Sequence, residues 1–183
     1  VKNAYEVSNT REDLMMGGMM LVNRWHELPA DYYDTVTAKI LTVHQAAPSI
    51  QVNDGSVKLL PNALEALKTM LEAAEKDAQL THYLIDEGYR TLEKQQEYYT
   101  EAESNYAANF EGEVLKQKTT ASGVNYPGTS EYQSGFAFKP RRYNREDSEF
   151  NKVKFYDTPH SDWLVENCWK YGFVCRFPVE GYP

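Results

Sequence analysis

The sequence predicts a single α+β domain. An amphipathic helix, a strand that leads into a second helix, and the lack of a regular strand–helix–strand repeat support this class. The chain has 183 residues, of which 42% are apolar and 25% are charged. This length suits one domain, and the composition is that of a globular protein rather than a disordered chain.

The best-defined helix is predicted over residues 61–79. Pro61 stands in the first turn, and Leu and Ala recur at three- and four-residue spacing with charged residues on the opposite face. A strand is predicted over 82–86, and a second helix, capped by Thr91, over 92–109. The other predicted elements are an extended segment over 35–45, a loop over 119–131, a strand over 133–138, a basic turn over 139–145, a helix over 159–171 that stops at Gly172, and a strand over 173–177.

Charge and composition exclude several classes of protein. The chain has 19 Lys and Arg against 27 Asp and Glu, a net charge of −8, whereas a general nucleic-acid binder needs a basic surface. No apolar run approaches the roughly 20 residues of a membrane-spanning helix. Only two cysteines are present, which excludes a disulfide-dense scaffold, and they form no CxxC pair that would suggest a zinc site.

Residues 1–20 are polar and rich in methionine. We expect them to form an arm that lies over a domain spanning residues 21–183. The chain begins at Val1 without an initiator methionine, and a removed signal peptide or anchor would fit this start.

Four short motifs occur in order along the chain. They are residues 88–91 (GYRT) followed by Gln95 and Gln96, residues 127–137 (PGTSEYQSGFA), residues 163–167 (WLVEN) and residues 170–178 (KYGFVCRFP). This series resembles the bacterial D-alanyl-D-alanine carboxypeptidase family, the zinc peptidases of the vancomycin-resistance type that trim peptidoglycan stem peptides. The resemblance extends over about residues 21–178.

The resemblance implies a small antiparallel sheet flanked by helices, as in the hedgehog and D-Ala-D-Ala carboxypeptidase fold. It also implies a zinc ion, which lowers the pKa of its bound water and polarises the scissile carbonyl. The family's first zinc ligand, a His, corresponds to Tyr132, and its second, an Asp, corresponds to Lys139. The third ligand and the catalytic Glu belong to an EPWH segment after the RYP motif, and no such segment follows Pro178 in this sequence.

These departures predict that no family-type zinc site forms and that the chain has no cofactor. A neutral phenol is a poor zinc ligand at pH 7, and an ammonium group repels the metal. A substitute ligand set would require the fold to bring Glu131, Asp157 and His160 together. We expect Lys139 and Tyr132 to fill the vacated cavity instead, where the lysine keeps one positive charge.

The binding side of the family's cleft is retained. Arg90 corresponds to the arginine that faces the substrate carboxyl group, and a guanidinium matches a carboxylate with paired hydrogen bonds. Ser130 corresponds to the family serine, and Gln95 or Gln96 to the nearby glutamine. A structural salt bridge is the alternative for Arg90, and a plain loop hydroxyl for Ser130. The predicted ligand-binding set is Arg90, Ser130, Gln96, Tyr132 and Lys139.

Two further features each allow two interpretations. The cationic residues of the basic turn are Lys139, Arg141, Arg142 and Arg145. Such a run is typical of a solvated loop, or of a contact with an anion such as teichoic acid or the acidic face of a partner protein. Cys168 and Cys175 fit either a disulfide or two buried thiols.

The resemblance and its departures together predict a degenerate, metal-free pseudoenzyme, extracytoplasmic at the bacterial cell envelope or secreted. It would bind a peptidoglycan stem peptide or an envelope protein without cleaving it, and no nucleic acid. The first alternative is an active zinc carboxypeptidase whose ligands are non-standard or lie downstream. The second is a structural scaffold domain whose cleft is closed by Tyr132 and Lys139.

Overall fold

The computed structural model describes residues 10–17 and 20–176. Within these residues the helices are α1 (Arg11–Met16), α2 (Tyr32–Thr37), α3 (Val43–Ala46), α4 (Pro61–Ala78), α5 (Leu92–Ser104), α6 (Gly112–Ala121), α7 (Ser148–Lys152) and α8 (Pro159–Asn167). The strands are β1 (Leu41–Thr42), β2 (Gln51–Val52), β3 (Lys58–Leu59), β4 (Tyr83–Glu87) and β5 (Lys139–Arg142). Short 3₁₀ helices cover Glu131–Ser134, Phe155–Asp157 and Cys168–Tyr171.

The strands form two small sheets. β4 is the central strand of a three-stranded sheet, with β2 parallel to it on one side and β5 antiparallel on the other. β1 and β3 pair antiparallel in a separate two-stranded sheet. The mixture of helices and small sheets confirms the predicted α+β class, with one parallel pairing where only antiparallel ones were expected.

The main core lies between α4 and β4. Pro61 occupies the first turn of α4, where a missing N–H leaves no hydrogen bond unmade, and Gln79 ends the helix in a left-handed conformation with a φ of 57°. Leu67 and Met70 of α4 are fully buried and belong to the same apolar cluster as Ile85 of β4. Burying each such side chain stabilises the fold by about 1.5–3 kcal/mol.

A second, smaller core joins the N-terminal helices to the rest of the domain. Met15 of α1 and Tyr32 and Val36 of α2 are buried there. The Tyr32 hydroxyl donates a hydrogen bond of 2.6 Å to the carbonyl oxygen of Ser134. This contact ties the second core to the segment that contains the motif of residues 127–137.

The predictions with the clearest sequence signals are confirmed. The helix predicted over 61–79 is α4, and the strand predicted over 82–86 is β4, shifted by one residue. The Thr158 side chain caps α8, as its position before Pro159 indicated. The 3₁₀ helix that follows α8 ends at Gly172, which has a φ of 83°.

The extended segment predicted over residues 35–45 is wrong. α2 covers its start, β1 covers two residues of its middle, and α3 follows directly. Tyr32 and Val36 are four residues apart and both fully buried. Their packing in the second core outweighs the strand preference of the neighbouring β-branched residues.

The strand predicted over 133–138 is also wrong. Its start lies in the 3₁₀ helix Glu131–Ser134, and Gly135 turns the backbone with a φ of 76°. Phe136 packs against the second core and Phe138 against the main core, whereas alternate residues of one strand would share a face. The strand begins only at β5, which occupies the start of the predicted basic turn.

Smaller differences concern where elements end. α5 ends at Ser104 rather than near residue 109, and α6 extends to Ala121, into the predicted loop over 119–131. Residues 173–175 have no regular structure where a strand was predicted. The last residue of that strand, Phe177, lies outside the described residues.

Part of the predicted N-terminal arm contacts the domain. In α1, Arg11 pairs with Asp31 at 2.7 Å, and the Asn62 side chain donates to the carbonyl oxygen of Met16 at 2.6 Å. Residues 1–9, 18 and 19 of the arm lie outside the described residues. The division of the chain at residue 20 stays a prediction.

Gly88 lies directly against the backbone of β3. A Cβ atom added to Gly88 would be 2.4 Å from the carbonyl oxygen of Lys58. The same oxygen accepts a 2.7 Å hydrogen bond from the backbone N–H of Tyr89. The glycine of the GYRT motif therefore lets the chain turn closely past β3.

We expect Gly88→Ala to lower the free energy of unfolding by about 1–3 kcal/mol, because the added methyl group must push two backbones apart. Gly55→Ala is the matched control, since a Cβ atom there would have no other atom within 4 Å. We expect the control to change stability by less than about 1 kcal/mol. Urea unfolding followed by circular dichroism measures both, and equal losses would contradict the close approach at Gly88.

Candidate functional site

Arg90 lies in the turn between β4 and α5. β4 ends at Glu87, and the Thr91 side chain begins α5 by accepting a hydrogen bond of 3.1 Å from the backbone N–H of Lys94. The backbone N–H of Arg90 donates to the carbonyl oxygen of Tyr132 at 3.1 Å. The GYRT motif and the motif of residues 127–137 therefore meet at this turn.

The Arg90 guanidinium is held by two side chains. Its Nε and Nη2 donate to the two carboxylate oxygens of Glu87 at 2.5 and 2.6 Å, and its Nη1 donates to Oε1 of Gln95 at 3.0 Å. The Arg90 and Glu87 side chains are only 17% and 25% exposed, so solvent screens the pair less than it screens a surface ion pair. The structural salt bridge considered for Arg90 is thus present.

Two tyrosine rings contact the guanidinium. The central carbon of the guanidinium is 4.2 Å from the ring centroid of Tyr132 and 4.8 Å from that of Tyr98, within the range of cation–π contacts. Burial raises the pKa of the Tyr132 phenol to about 12, and the Glu87 carboxylate adds to the shift. Tyr132 is therefore neutral at physiological pH and offers Arg90 the face of its ring.

The glutamine of this site is Gln95. It is fully buried, and its Nε2 donates to the carbonyl oxygen of Asn125 at 2.7 Å while its Oε1 accepts from Arg90. Gln96 is exposed and bonds to the hydroxyl of Thr100 at 3.1 Å. Gln96, which was assigned to the ligand-binding set, lies outside the Arg90 cluster because successive helical residues point about 100° apart.

Hydrogen bonds fix the segment that contains Ser130. Gln133 is fully buried, accepts from the backbone N–H of Gly128 at 2.8 Å and donates to the Tyr33 hydroxyl at 2.9 Å. Ser130 itself is only 2% exposed. It is part of a packed segment beside Arg90 rather than a hydroxyl on an open loop.

Lys139 lies at the start of β5 and pairs with Asp86. Its ammonium nitrogen is 3.5 Å from one carboxylate oxygen of Asp86, and Nε of Arg141 is 3.1 Å from the other. The Lys139 side chain is 58% exposed. The expectation that Lys139 and Tyr132 fill one cavity together is wrong, because Tyr132 packs on Arg90 while Lys139 lies at the exposed edge of the sheet.

The other cations of the basic run also have partners within the domain. Arg141 donates to the side-chain oxygen of Asn53 at 2.9 Å. Arg142 donates to the carbonyl oxygen of Phe150 at 2.6 Å, and its guanidinium lies 3.7 Å from the Phe150 ring centroid. The run therefore begins as one strand of the sheet and is followed by the exposed Arg145. The interpretation as a solvated loop is wrong for the strand residues, and a contact with an anion stays a prediction.

Cys168 is buried and Cys175 is exposed, and no disulfide joins them. Burial raises the pKa of the Cys168 thiol. Cys168 belongs to the main core, where it packs as a small apolar side chain.

The substitute zinc ligands have other partners. Glu131 pairs with Arg176 at 3.3 Å, and Nε2 of His160 donates to the carbonyl oxygen of Thr81 at 2.6 Å. Burial lowers the pKa of His160, and Asp157 ends a 3₁₀ helix. In the part of the chain that the structure describes, no three His, Cys, Asp or Glu side chains are grouped to hold a metal ion.

A cleft of about 300 Å³ opens beside Arg90. Its lining contains three carboxylates and two cationic groups, which suits a ligand that has charges of both signs. The residues that line it are Asn53, Asp54, Ser56, Val57, Asp86, Glu87, Gly88, Tyr89, Arg90, Lys94 and Tyr98.

Sequence reasoning missed two residues of this site. Glu87 stands three positions before Arg90, a spacing that brings opposite charges together in a tight turn as it does in a helix. Tyr98 lies one turn after Lys94 on α5, and both contact the region around Arg90. The spacing of Glu87 and Arg90 could have predicted their pairing from the sequence. The contact of Tyr98 with Arg90 could not be predicted, because it depends on the angle at which α5 leaves the turn.

Comparison with known proteins agrees with the motif order. The family model for VanY, described as D-alanyl-D-alanine carboxypeptidase, matches residues 56–182. The chain therefore belongs to the D-alanyl-D-alanine carboxypeptidase family. No helix among the described residues has the length and apolar character needed to cross a membrane.

Curated relatives match nearly the whole chain. A D-alanyl-D-alanine carboxypeptidase of Enterococcus faecalis is 26% identical over 181 residues, which are 98% of this chain and 58% of the relative. The putative carboxypeptidase YodJ of Bacillus subtilis is 29% identical over 162 residues, which are 87% of this chain and 52% of the relative. The chain spans about half the length of the curated relatives it matches.

Solved structures confirm the fold. The LdcB LD-carboxypeptidase, whose structure is described in terms of peptidoglycan recognition, matches with a TM-score of 0.63 and 26% identity over 87% of this chain and 67% of that one. VanYB in complex with D-Ala-D-Ala matches with a TM-score of 0.57 and 27% identity over 87% and 75%. A vancomycin-resistance D,D-pentapeptidase VanY in complex with Zn(II) matches with a TM-score of 0.55 at 27% identity, over 87% of this chain and 76% of that one.

Gln95→Leu should destabilise the protein by about 1–3 kcal/mol, since it leaves an N–H of Arg90 and the carbonyl oxygen of Asn125 without their partner. Gln96→Leu is the matched control one residue away, and we expect it to change stability by less than about 0.5 kcal/mol. Thermal and urea unfolding of both variants measure the difference. A larger loss of stability from Gln96→Leu than from Gln95→Leu would contradict the assignment of Gln95 as the glutamine that holds Arg90.

Proposed function

We propose that this chain is a cell-envelope domain that binds the carboxyl end of a peptidoglycan stem peptide in the Arg90 cleft without zinc-dependent hydrolysis. The observation that supports this most is the fixed guanidinium of Arg90 at the edge of a cleft with mixed charges. The similar structure of VanYB holds D-Ala-D-Ala, which is the carboxyl end of such a stem peptide.

Arg90 keeps hydrogen-bonding capacity for a ligand. A guanidinium has five N–H donors, and those used within the domain point to Glu87 and Gln95. The remaining N–H groups are available to a peptide carboxylate. Because the Arg90 side chain is already held in place, ligand binding would not lose the conformational entropy of ordering it.

The charges of the cleft suit a stem peptide. Such a peptide combines a terminal carboxylate with amine or amide groups on its side chains. Arg90 and Lys94 are cationic partners for the carboxylate, while Asp54 and Asp86 accept hydrogen bonds from cationic or amide groups. Asp86 is shared with Lys139 and Arg141, which leaves Asp54 as the less neutralised carboxylate.

The residues at the family's zinc positions do not fit a zinc ion. Tyr132 has a phenol whose pKa is raised to about 12, so its oxygen is protonated at neutral pH. Lys139 places an ammonium group where the family has a carboxylate ligand, and like charge repels the metal. These residues therefore support no zinc-dependent hydrolytic step, and the roles of Arg90 and its partners are to bind and orient the peptide.

Hydrolysis with zinc is the second candidate. It is favoured by the related VanY structure that contains Zn(II), and it would need ligands other than Tyr132 and Lys139. A scaffold role is the third candidate, favoured by the existing pairing of Arg90 with Glu87. The open cleft beside Arg90 supports binding over a scaffold.

Location and domain organisation belong to the same proposal. Peptidoglycan lies outside the cytoplasmic membrane, so a stem-peptide binder acts at the cell envelope, and an envelope protein with an exposed C-terminal carboxylate is the other partner we consider. Residues 1–20 would serve as an arm to a carboxypeptidase-like domain of residues 21–183, and the burial of Met15 in the second core supports an arm that docks on its own domain.

Binding of an acyl-L-Lys-D-Ala-D-Ala tripeptide to the EDTA-treated protein tests this proposal by calorimetry or NMR titration. We expect Arg90→Lys to weaken the affinity by roughly tenfold, because the ammonium group cannot make paired hydrogen bonds with the carboxylate. Arg145→Lys, at an exposed arginine, should leave the affinity unchanged. The same tripeptide with a C-terminal amide lacks the carboxylate. Its affinity for the unaltered protein should be about as low as the affinity of the acid for the Arg90→Lys variant.

Two results would contradict the proposal. Equal affinity for the tripeptide acid and the tripeptide amide would show that the terminal carboxylate does not bind to Arg90. Release of free D-Ala from the tripeptide after addition of zinc would favour the hydrolytic candidate instead.

A further inference from the structure

A second groove, of about 410 Å³, lies between the turn of residues 23–26 and α6. Nothing in the Arg90 cleft overlaps it, since the two linings share no residue. The groove is lined by Arg24, Trp25, Glu113, Lys116, Gln117 and Thr120.

The turn of residues 23–26 presents Trp25 in a defined position. Asn23 and His26 exchange two backbone hydrogen bonds of 3.1 and 2.9 Å, and the side-chain oxygen of Asn23 accepts from the backbone N–H of Trp25 at 2.9 Å. The Arg24 guanidinium lies 4.1 Å from the ring centroid of Trp25. Trp25 is nevertheless 71% exposed. A turn held by hydrogen bonds therefore keeps a large apolar side chain in contact with water.

The opposite wall is a polar stripe on α6. Glu113, Lys116, Gln117 and Thr120 follow the spacing i, i+3, i+4, i+7, which places them on one face of the helix. Lys116 lies 4.6 Å from the Tyr126 ring centroid. The side chains of Glu113, Gln117 and Thr120 have no hydrogen-bond partner among the residues that the structure describes, so their polar groups are available to a ligand.

An exposed aromatic ring opposite planar polar side chains is the chemistry that recognises a pyranose sugar. The C–H face of the sugar packs on the ring, and its hydroxyl and acetamido groups bond to amide, carboxylate and hydroxyl side chains. The lining is too polar for an apolar helix, and Glu113 offsets part of the charge of Arg24 and Lys116, which disfavours a polyanion.

We propose that the groove between Trp25 and α6 binds N-acetylhexosamine units of the peptidoglycan glycan strand. This inference rests on the proposed stem-peptide function and extends it to the polymer from which stem peptides branch. The Trp25 ring is the stacking platform, and Gln117 and Glu113 are the hydrogen-bonding partners of the sugar.

The groove and the Arg90 cleft are connected through one short segment. Gln95, which holds Arg90, donates to the carbonyl oxygen of Asn125, and the next residue, Tyr126, contacts Lys116 in the groove wall. Two sites linked through adjacent residues are what a branched polymer with a glycan strand and a peptide side chain would require.

Titration with the soluble tetramer of β-1,4-linked N-acetylglucosamine tests the inference, with the indole N–H signals followed by NMR. We expect the Trp25 signal to shift and Trp25→Ala to weaken the affinity by roughly tenfold. Trp169→Ala is the matched control, because Trp169 is also an exposed tryptophan, at 66%, with a nearby cation, Lys170. We expect the control to bind the tetramer like the unaltered protein.

The acyl-L-Lys-D-Ala-D-Ala tripeptide, titrated into the same samples, separates this inference from the proposed function. Trp25→Ala should bind the tripeptide normally, which also shows that the variant is folded. Absence of tetramer binding, or an equal loss in both tryptophan variants, would overturn the glycan site whatever the tripeptide does. Tetramer binding that depends on Trp25, without tripeptide binding, would support the glycan site and refute the stem-peptide function.

Discussion

The paired hydrogen bonds between Arg90 and Glu87 fix the turn that joins β4 to α5 at the edge of the cleft. Glu87 is the last residue of β4, and Arg90 immediately precedes the cap of α5. Through Gln95 the same guanidinium is linked to Asn125 and thus to the segment with Ser130 and Tyr132. A charged group that is mostly buried must keep its partners, so the position of Arg90 at the edge of the cleft depends on this pair.

The residues at the family's two ligand positions, Tyr132 and Lys139, both have partners within the domain. Tyr132 contacts the guanidinium with its ring, and burial keeps its phenol neutral by raising its pKa to about 12. Lys139 lies over Asp86 at the sheet edge, where it balances a carboxylate. Both residues are accommodated by partners within the domain, so their presence at the family's ligand positions leaves no unpaired charge.

The parts of the fold that the sequence predicted well are those with a strong periodic signal. α4 has a clear apolar face, and β4 is a short apolar run between breaking residues. The segment 133–138 shows the limit of this reasoning: Phe136 and Phe138 alternate as in a strand, yet they pack into different cores on either side of a turn at Gly135. Periodicity in the sequence cannot distinguish one buried face from two.

The candidate site was predictable in its motifs and less so in its contacts. Motif order placed Arg90 beside the segment with Tyr132, and the two are in contact in the structure, although of the five predicted ligand-binding residues only Arg90 lines the cleft. The choice between Gln95 and Gln96 needed the helical face of α5, which Tyr99 marks, because it is buried four residues after Gln95. The partner of Lys139 could not be predicted, since it depends on the register of β5 against β4.

The zinc content of the purified chain tests the central claim most directly. The protein would be dialysed against zinc, then against metal-free buffer, and its zinc-to-protein ratio measured by elemental analysis. We predict a ratio near zero, because Tyr132 and Lys139 offer a neutral phenol and an ammonium group where a zinc site needs anionic or imidazole ligands. A ratio near one zinc per chain would contradict the metal-free site and show that a different set of residues binds the metal.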